Sequence, residues 1–230
     1  MTTLTPVPDP ALPSKSEQTR ASIGDAAMRL FRRDGYDGTT MRAIAKEAGV
    51  SVGNAYYYFS SKEHLIQAFY DGMQVEHAAA ADAVLAREKG FEARLRGVLE
   101  AWVDIAAPNH EFAGQFFKNA ADPDSPLSPF SQESTPAREA STDLYRRVVE
   151  GADLKVAPGL RQELPGLLWL LQMGIVLFWV HDRSPDQART RTLVAQGVPI
   201  VDRLVRLARL PVVRGVVDDL VRVVASLREP

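Results

Sequence analysis

A three-residue turn between two short helical segments restricts the fold of this chain more than any other feature of its sequence. The turn is Gly49-Val50-Ser51, and it separates a predicted helix over 41–48 from a predicted helix over 52–58. Glycine can take the left-handed backbone conformation that ends a helix, so the chain can change direction sharply within three residues. Two short helices joined in this way form a helix-turn-helix, whose second helix can enter the major groove of DNA.

The rest of the chain is also predicted to be helical. Apolar residues recur every three or four positions in further segments, and no run of alternating apolar and polar residues interrupts them. Four prolines among the first 14 residues are typical of a disordered arm. We therefore predict an all-α protein with an arm over 1–15, a three-helix DNA-binding domain over 16–61 and a larger helical domain over 62–230.

Local residue choices predict where two of these helices begin. Thr40 is a predicted N-cap of the helix over 41–48, because its hydroxyl can accept a hydrogen bond from a free amide of the first turn. Ser60, with Glu63 three positions later, matches a capping box and predicts the start of a long fourth helix. Phe59 is predicted to turn into the core of the small domain.

Composition and charge exclude several classes of protein. None of the 230 residues is cysteine, which excludes disulfides, thiolate metal sites and cysteine nucleophiles. The formal net charge is −2, but residues 15–64 carry eight lysine or arginine residues and six acidic ones, so this segment is mildly basic. The first residues lack the charged start and apolar stretch of a secretory signal, which favours a cytoplasmic protein.

The longest uncharged run, over 164–180, raises the question of a membrane helix. A membrane span needs about 20 predominantly apolar residues. This run has 17 residues and contains Pro165, Gly166, Gln172 and Gly174. We predict a buried core or interface helix here, and no membrane partner.

The stretch TTMRAIAKEAGVSVGNAYYYFSSKEHLIQAF, over 39–69, resembles the tetracycline-repressor (TetR) family of bacterial transcription regulators. The resemblance rests on the joint spacing of Thr40, the AGVS turn, Gly53, the YYYF block and Ser61-Lys62-Glu63. It implies a homodimer that binds operator DNA through its N-terminal domain. It further implies a C-terminal domain for dimerisation and for a small-molecule effector, no cofactor, and repression as the default mode of regulation.

Nine residues are predicted to contact DNA. The first residues of the helix over 52–58 are small, so its backbone can approach bases in a groove about 12 Å wide. Asn54 can bond to a base edge, and Val52 can touch a thymine methyl group. Thr40 with Arg42, and Lys62 at the start of the fourth helix, form two predicted phosphate clamps. The nine residues are Thr40, Arg42, Ser51, Val52, Gly53, Asn54, Tyr56, Tyr57 and Lys62.

Each of these residues also has a structural interpretation when it is taken alone. Thr40 is an ordinary helix cap, a run of tyrosines is usually packed in a core or interface, and Arg42 is typical of a solvated helix face. The joint spacing of the nine residues favours DNA binding over these alternatives.

Aromatic residues indicate a candidate effector site in the C-terminal domain. Ten of the eighteen aromatic residues lie between Phe91 and Trp179, including all three tryptophans. This enrichment is typical of ligand pockets, although core packing explains it equally well. Gln172 needs a partner for its amide, which is a ligand, a subunit or another side chain. The predicted ligand-binding residues are Trp102, Phe112, Phe116, Phe117, Trp169, Gln172, Met173 and His181.

Specific recognition of DNA predicts a homodimer, because one recognition helix covers few base pairs and two must lie about one helical turn apart. The family resemblance implies that late helices form the interface, with 167–180 and 186–210 as candidates and a kink at Pro199. A further apolar stripe lies in 212–227. It consists of Val213, Val216, Val217, Leu220, Val224 and Leu227.

An enzyme is the competing class, and the sequence does not favour it. His110-Glu111 begins like a zinc-protease helix, but Gly114 stands where that motif requires its second histidine. The four histidines lack metal-ligand spacing, and neither a glycine-rich phosphate loop nor a G-x-S-x-G elbow occurs. A regulator controlled without a small ligand, and a helical ligand-binding protein that does not bind DNA, remain alternatives.

Overall fold

A computed structural model of the chain describes residues 14–122, 124–210, 215, 216, 219, 222 and 223. All regular structure in these residues is helical, which confirms the predicted all-α class. The helices are α1 (Lys15–Asp34), α2 (Met41–Glu47), α3 (Val52–Tyr58), α4 (Lys62–Arg87), α5 (Phe91–Ala106), α6 (His110–Ala120), α7 (Thr135–Glu150), α8 (Pro158–His181) and α9 (Ala188–Leu207). Short 3-10 turns, Ala107–Asn109 and Pro185–Gln187, precede α6 and α9.

Two expectations fall largely outside the described residues. Of the predicted arm over 1–15, only Ser14 and Lys15 are described. Ser14 is the N-cap of α1, and Lys15 is the first residue of this helix. Of the six residues of the apolar stripe in 212–227, only Val216 is described, and it is helical. α9 continues through Pro199.

The chain divides into two compact units, Met1–Ala68 and Phe69–Pro230. The division falls inside α4 rather than at its start, because Leu65 and Ile66 in the first turns of α4 are buried and belong to the first unit. α1, α2 and α3 bury the remaining core side chains of this unit. Among them are Ile23, Ala27, Leu30, Phe31, Ile44, Ala45 and Ala55. Phe59, which follows α3, is also buried, so the prediction for Phe59 is confirmed.

The helix caps of the first unit agree with the sequence at two of three positions. Thr40 accepts a hydrogen bond from the Ala43 amide at 3.2 Å, as predicted. Gly49 has a φ of +69°, the left-handed conformation that the turn before α3 requires. The predicted capping box of Ser60 is wrong, because α4 begins one residue later and Ser61 accepts from the His64 amide at 3.4 Å.

The core of the second unit is built from α4, α5, α7, α8 and α9. The most extensive packing joins α7 to α8 and α5 to α9. Gln172 on α8 is buried, and its Oε1 accepts a hydrogen bond from the Tyr145 hydroxyl of α7 at 2.9 Å. The partner that this amide requires is therefore another side chain, which was one of the three alternatives.

The uncharged run lies within α8, a helix that is long and apolar enough to cross a membrane by length and composition alone. The core helices of globular proteins meet the same criteria. One face of α8 is buried in the core of the second unit, whereas Leu170, Leu177 and Phe178 on the other face are exposed. This pattern is that of a core helix with a second apolar face.

A buried arginine joins the C-terminal ends of α4 and α7. Arg94 is 5% exposed, and its Nη1 donates to the Leu85 and Glu88 carbonyls at 2.9 and 2.7 Å. Its Nε donates to the Val148 carbonyl at 3.1 Å, and its Nη2 donates to that of Arg147 at 2.7 Å. Carbonyls in the last turn of a helix lack partners within the helix and carry partial negative charge, so a cation there stabilises both helices.

Glycine is required beside this arginine. A Cβ atom added to Gly151, the residue that follows α7, would collide with the Arg94 guanidinium. Any side chain at this position would therefore displace the guanidinium from the carbonyls that it binds.

Arg94→Met is expected to lower the free energy of unfolding by about 2–4 kcal/mol, because buried carbonyls at the ends of α4 and α7 lose their donors. Urea unfolding followed by circular dichroism, at equal protein concentrations, measures the loss. Arg87→Met is the matched control, since Arg87 is exposed on α4 and pairs with Glu88 at 2.9 Å. A loss no larger than that of the control would contradict the assigned role of Arg94.

Candidate nucleic-acid interface

The second helix of the helix-turn-helix is held by very little buried surface. α3 has seven residues, of which Ala55 alone is buried. Val52, Tyr56 and Tyr57 are 37%, 50% and 79% exposed. Large apolar and aromatic side chains gathered on an exposed surface typically mark a binding site, and here they lie on the helix predicted to enter the DNA groove.

The YYYF block divides between solvent and the body of the first unit. Tyr56 and Tyr57 face solvent, whereas Phe59 is buried and lies beneath the Arg20 guanidinium, 4.8 Å from its ring centroid. The Tyr58 hydroxyl lies 3.2 Å from the Ser16 hydroxyl at the start of α1. The end of α3 is thus attached to α1, which leaves the other two tyrosines available for contacts outside the chain.

The start of α3 presents the small residues that the sequence predicts there. Ser51 is exposed and caps the helix by accepting a hydrogen bond from the Asn54 amide at 3.1 Å. Gly53 is exposed, and a Cβ atom added to it would meet nothing within 4 Å. The Asn54 side chain is partly exposed. Backbone and side chains at this end are therefore accessible to a nucleic acid.

α2 places two cations on one exposed face. Arg42 and Lys46 are exposed, lie one turn apart, and form no ion pair within the described part of the chain. The neighbouring Glu47 is paired with Arg29 at 3.4 Å. Lys46 is not among the nine predicted DNA contacts. Its spacing of four residues from Arg42, a predicted phosphate contact, is the signal that identifies it.

Lys62 has a structural contact that the sequence did not indicate. Its ammonium donates to the Tyr36 carbonyl at 2.7 Å and lies 4.1 Å from the centroid of the Tyr36 ring. The Tyr36 hydroxyl in turn donates to Glu63 Oε1 at 2.5 Å. Two consecutive residues of α4 therefore hold Tyr36, while two of the three ammonium protons of Lys62 remain for a phosphate.

The surroundings shift the pKa values of the Glu63 carboxyl and the Tyr36 hydroxyl in opposite directions. Burial alone would raise the pKa of Glu63, but hydrogen bonds from Ser61 and Tyr36 outweigh it and hold the pKa below the usual 4.5. Burial, reinforced by the neighbouring carboxylate of Glu63, raises the pKa of the Tyr36 hydroxyl above its ordinary range. Glu63 is therefore charged and Tyr36 neutral near pH 7, which is the combination that their hydrogen bond needs.

The eight predicted effector residues all lie in the second unit but do not form one described pocket. Phe112 and Phe116 are buried, and Met173 packs against the core. Ring contacts join Trp102 to Trp179 at 5.2 Å, Phe117 to His181 at 5.9 Å and Trp169 to Phe130 at 5.4 Å. A cavity of about 460 Å³ between α4, α5 and α9 is lined by other residues, most of them charged.

Two buried rings of the second unit, those of Trp179 and His77, are not among the predicted effector residues. Trp179 is buried between the rings of Trp102 and His110, and His77 on α4 is buried against α5. Trp179 belongs to the uncharged run, and His77 precedes four alanines. A polar ring atom within an apolar stretch is the signal that both residues share.

Two family profiles match the chain. Residues 23–69 match the profile described as bacterial regulatory proteins, tetR family. Residues 94–223 match the profile described as tetracyclin repressor-like, C-terminal domain, and this match alone spans more than half of the chain.

Individual proteins show the same similarity. The probable HTH-type transcriptional regulator YttP of Bacillus subtilis is 43% identical over 58 residues, which are 24% of this chain and 28% of YttP. The TetR transcriptional regulator of Nitrosomonas europaea covers 80% of this chain and 97% of its own, with 20% identity and a TM-score of 0.61. FadR of Thermus thermophilus, a TetR-family repressor in complex with lauroyl-CoA, covers 83% and 95%, with 22% identity and a TM-score of 0.55. At these identities the two solved structures share the fold.

Tyr36→Phe is expected to lower the free energy of unfolding by about 1.5–3 kcal/mol near pH 7, because it deletes a hydrogen bond to a carboxylate. This bond lowers the pKa of Glu63, so its stabilising effect is present above pH 4.5 and is lost as the pH falls through the lowered value. The difference between the wild type and the variant should therefore narrow in acid.

Urea unfolding at a series of pH values between about 7 and 3 measures this difference. Tyr57→Phe is the control, because the Tyr57 side chain is 79% exposed and its hydroxyl contributes little to folding. A difference that stays constant with pH would show that the hydroxyl does not interact with the charged carboxylate.

Proposed function

The chain belongs to the tetR family of bacterial regulatory proteins, and from this premise we propose that it is a ligand-responsive, sequence-specific DNA-binding transcriptional regulator. We propose further that it acts as a homodimeric repressor in the cytoplasm and leaves a palindromic operator when it binds a small hydrophobic or aromatic molecule. The observation that carries the proposal is the exposure of Val52, Tyr56 and Tyr57 on a helix with one buried residue.

The nine predicted DNA contacts support the proposal by their accessibility. Eight of them are exposed or lie at exposed helix starts, and Lys62 keeps two free donors. Residues of α3 read base edges and thymine methyl groups, while Thr40, Arg42 and Lys62 bind phosphates on either side of the groove. Lys46 extends the phosphate contacts of α2 by one helical turn.

Exposed apolar residues on α8 and α9 support a dimer. α8 exposes Leu170, Leu177 and Phe178, and α9 exposes Leu193, Ile200, Leu204 and Leu207. The α9 residues follow one another at intervals of seven, four and three, and on α8 Leu177 and Phe178 follow Leu170 by seven and eight residues. Each set therefore forms a stripe along one helix face. A Cβ atom added to Gly174 or Gly197 would meet nothing within 4 Å, which leaves room for close helix approach. We propose that both stripes contact a second copy of the chain.

Regulation follows from the extent of α4. This helix contributes its first residues to the first unit and the rest to the second. In the proposed mechanism, effector binding in the second unit displaces α4 and changes the separation of the two recognition helices. Because coupling is reciprocal, operator DNA weakens effector binding by the same factor. The bound lauroyl-CoA of FadR is consistent with a largely apolar effector in this fold.

The experiment that tests the proposed function is a mobility shift with DNA from upstream of the protein's own gene, titrated with salt and competed with random DNA. A specific complex with dimer stoichiometry at physiological salt is expected. Two results together would contradict a sequence-specific regulator. Random DNA would compete as well as the upstream DNA does, and a selection of fragments from the whole genome would yield no sequence that the protein prefers.

Tyr56→Ala and Arg42→Ala are each expected to weaken operator binding about tenfold, equivalent to roughly 1.4 kcal/mol. Tyr56→Ala removes a contact to the DNA at the groove, and Arg42→Ala removes a phosphate contact and so also lowers the salt dependence. Fluorescence anisotropy with labelled operator measures both effects. Arg33→Ala is the control, because Arg33 is exposed and paired with Asp34 at 2.8 Å. Wild-type affinity in both variants would refute the assigned roles.

Ile200→Asp is expected to dissociate the dimer and to weaken operator binding with it, because a carboxylate would be buried in the apolar contact. Sedimentation analysis measures the oligomeric state. Val75→Asp on α4 is the matched control, since Val75 is 70% exposed and lies on neither stripe. A dimer that survives Ile200→Asp would place the interface elsewhere.

A further inference from the structure

Two buried ring nitrogens of the second unit have no hydrogen-bond partner among the described residues. They are His77 Nδ1 in α4 and Trp179 Nε1 in α8. The two residues are 1% and 3% exposed. Most buried polar side-chain atoms in native proteins have a partner, and an unsatisfied one destabilises the fold. These two atoms therefore require a partner that the described side chains do not supply.

The surroundings define what each nitrogen can bind. His77 Nε2 lies 2.9 Å from the Val98 carbonyl, which can only accept, so Nε2 carries the hydrogen and Nδ1 is left as an acceptor. Burial lowers the pKa of His77, so the ring is neutral near pH 7. Trp179 Nε1 is a donor. One acceptor and one donor are thus unused inside the same unit.

Both rings approach the same face of α5. His77 bonds to Val98, and Trp102, which follows Val98 by one helical turn, has its ring centroid 5.2 Å from that of Trp179. Residues four apart in a helix share a face and are separated by about 6 Å along the axis. The rings that carry the two unused nitrogens therefore lie beside consecutive turns of α5.

The neighbouring side chains define the class of ligand. Trp102 contacts Trp179, and Met73 lies one helical turn before His77 on α4 and is half-buried against the same core. Methionine side chains adapt readily to a ligand. The buried guanidinium of the unit, that of Arg94, is occupied by four carbonyls. An anionic group bound here would lack a counter-charge, whereas an uncharged hydroxyl or carbonyl group would satisfy both nitrogens.

We propose that the effector is an uncharged hydroxylated aromatic molecule, whose hydroxyl donates to His77 Nδ1 and whose oxygen accepts from the Trp179 indole N–H. This inference rests on the proposed function, since it specifies the effector of the regulator. An uncharged effector of this kind distinguishes this chain from a regulator that binds an anionic acyl thioester.

The test uses the full-length protein and three probes: 4-propylphenol, its methyl ether 4-propylanisole, and lauroyl-CoA. Isothermal titration should show that the phenol binds the wild type about tenfold more tightly than the ether, because the ether cannot donate to His77. Trp179→Phe should weaken phenol binding about tenfold, since it keeps an aromatic ring beside Trp102 but removes the N–H group. Thermal unfolding of the unliganded variant shows whether its fold is retained.

Three results would each overturn the inference. The phenol and the ether bind with equal affinity, the wild type and Trp179→Phe bind the phenol with equal affinity, or lauroyl-CoA binds and the phenol does not. Anisotropy of labelled operator in the same samples separates this result from the proposed function. Phenol-induced release of the operator supports the inference. Specific operator binding that the phenol leaves unchanged overturns the effector class alone, and absence of specific operator binding overturns the regulator itself.

Discussion

The second unit depends on a cation that no carboxylate neutralises among the described residues. Arg94 directs its guanidinium at carbonyls in or just after the last turns of α4 and α7. Each helix C-terminus carries roughly half a negative charge, so two of them together balance one arginine. The end of α4 is thereby fixed to α5 and α7. A displacement of α4 by a ligand must either pivot about this end or break buried hydrogen bonds.

The other end of α4 is held by different chemistry. Lys62 and Glu63 hold Tyr36 through its carbonyl, its ring and its hydroxyl. The start of α4 is therefore tied to the loop between α1 and α2 by three separate contacts. α1 packs on α2 and α2 packs on α3. The tie of α4 to Tyr36 therefore connects the first turn of this helix to the loop that leads into the helix-turn-helix.

Local patterns predicted the first unit well, and contacts between distant residues were the part that they could not predict. The turn at Gly49, the cap at Thr40 and the bounds of α3 depend on neighbouring residues, and each was recognised from spacing. The tie of Lys62 to Tyr36 spans 26 positions, and that of Arg94 to Val148 spans 54. Such contacts follow from the packing of helices, which periodicity does not specify. The error at Ser60 has a local cause, since Ser61 is an equally good cap.

The same distinction explains why the DNA site is easier to recognise than the effector site. DNA presents a regular groove and regular phosphates, so residues at fixed spacing within a short segment suffice to bind it. The proposed effector contacts, His77 and Trp179, lie about 100 positions apart in the sequence, and both lie beside α5. What marks these two residues is a missing hydrogen bond. That property belongs to the folded core: the apolar stretches around the two rings indicate their burial, but not that a hydrogen-bond partner is missing.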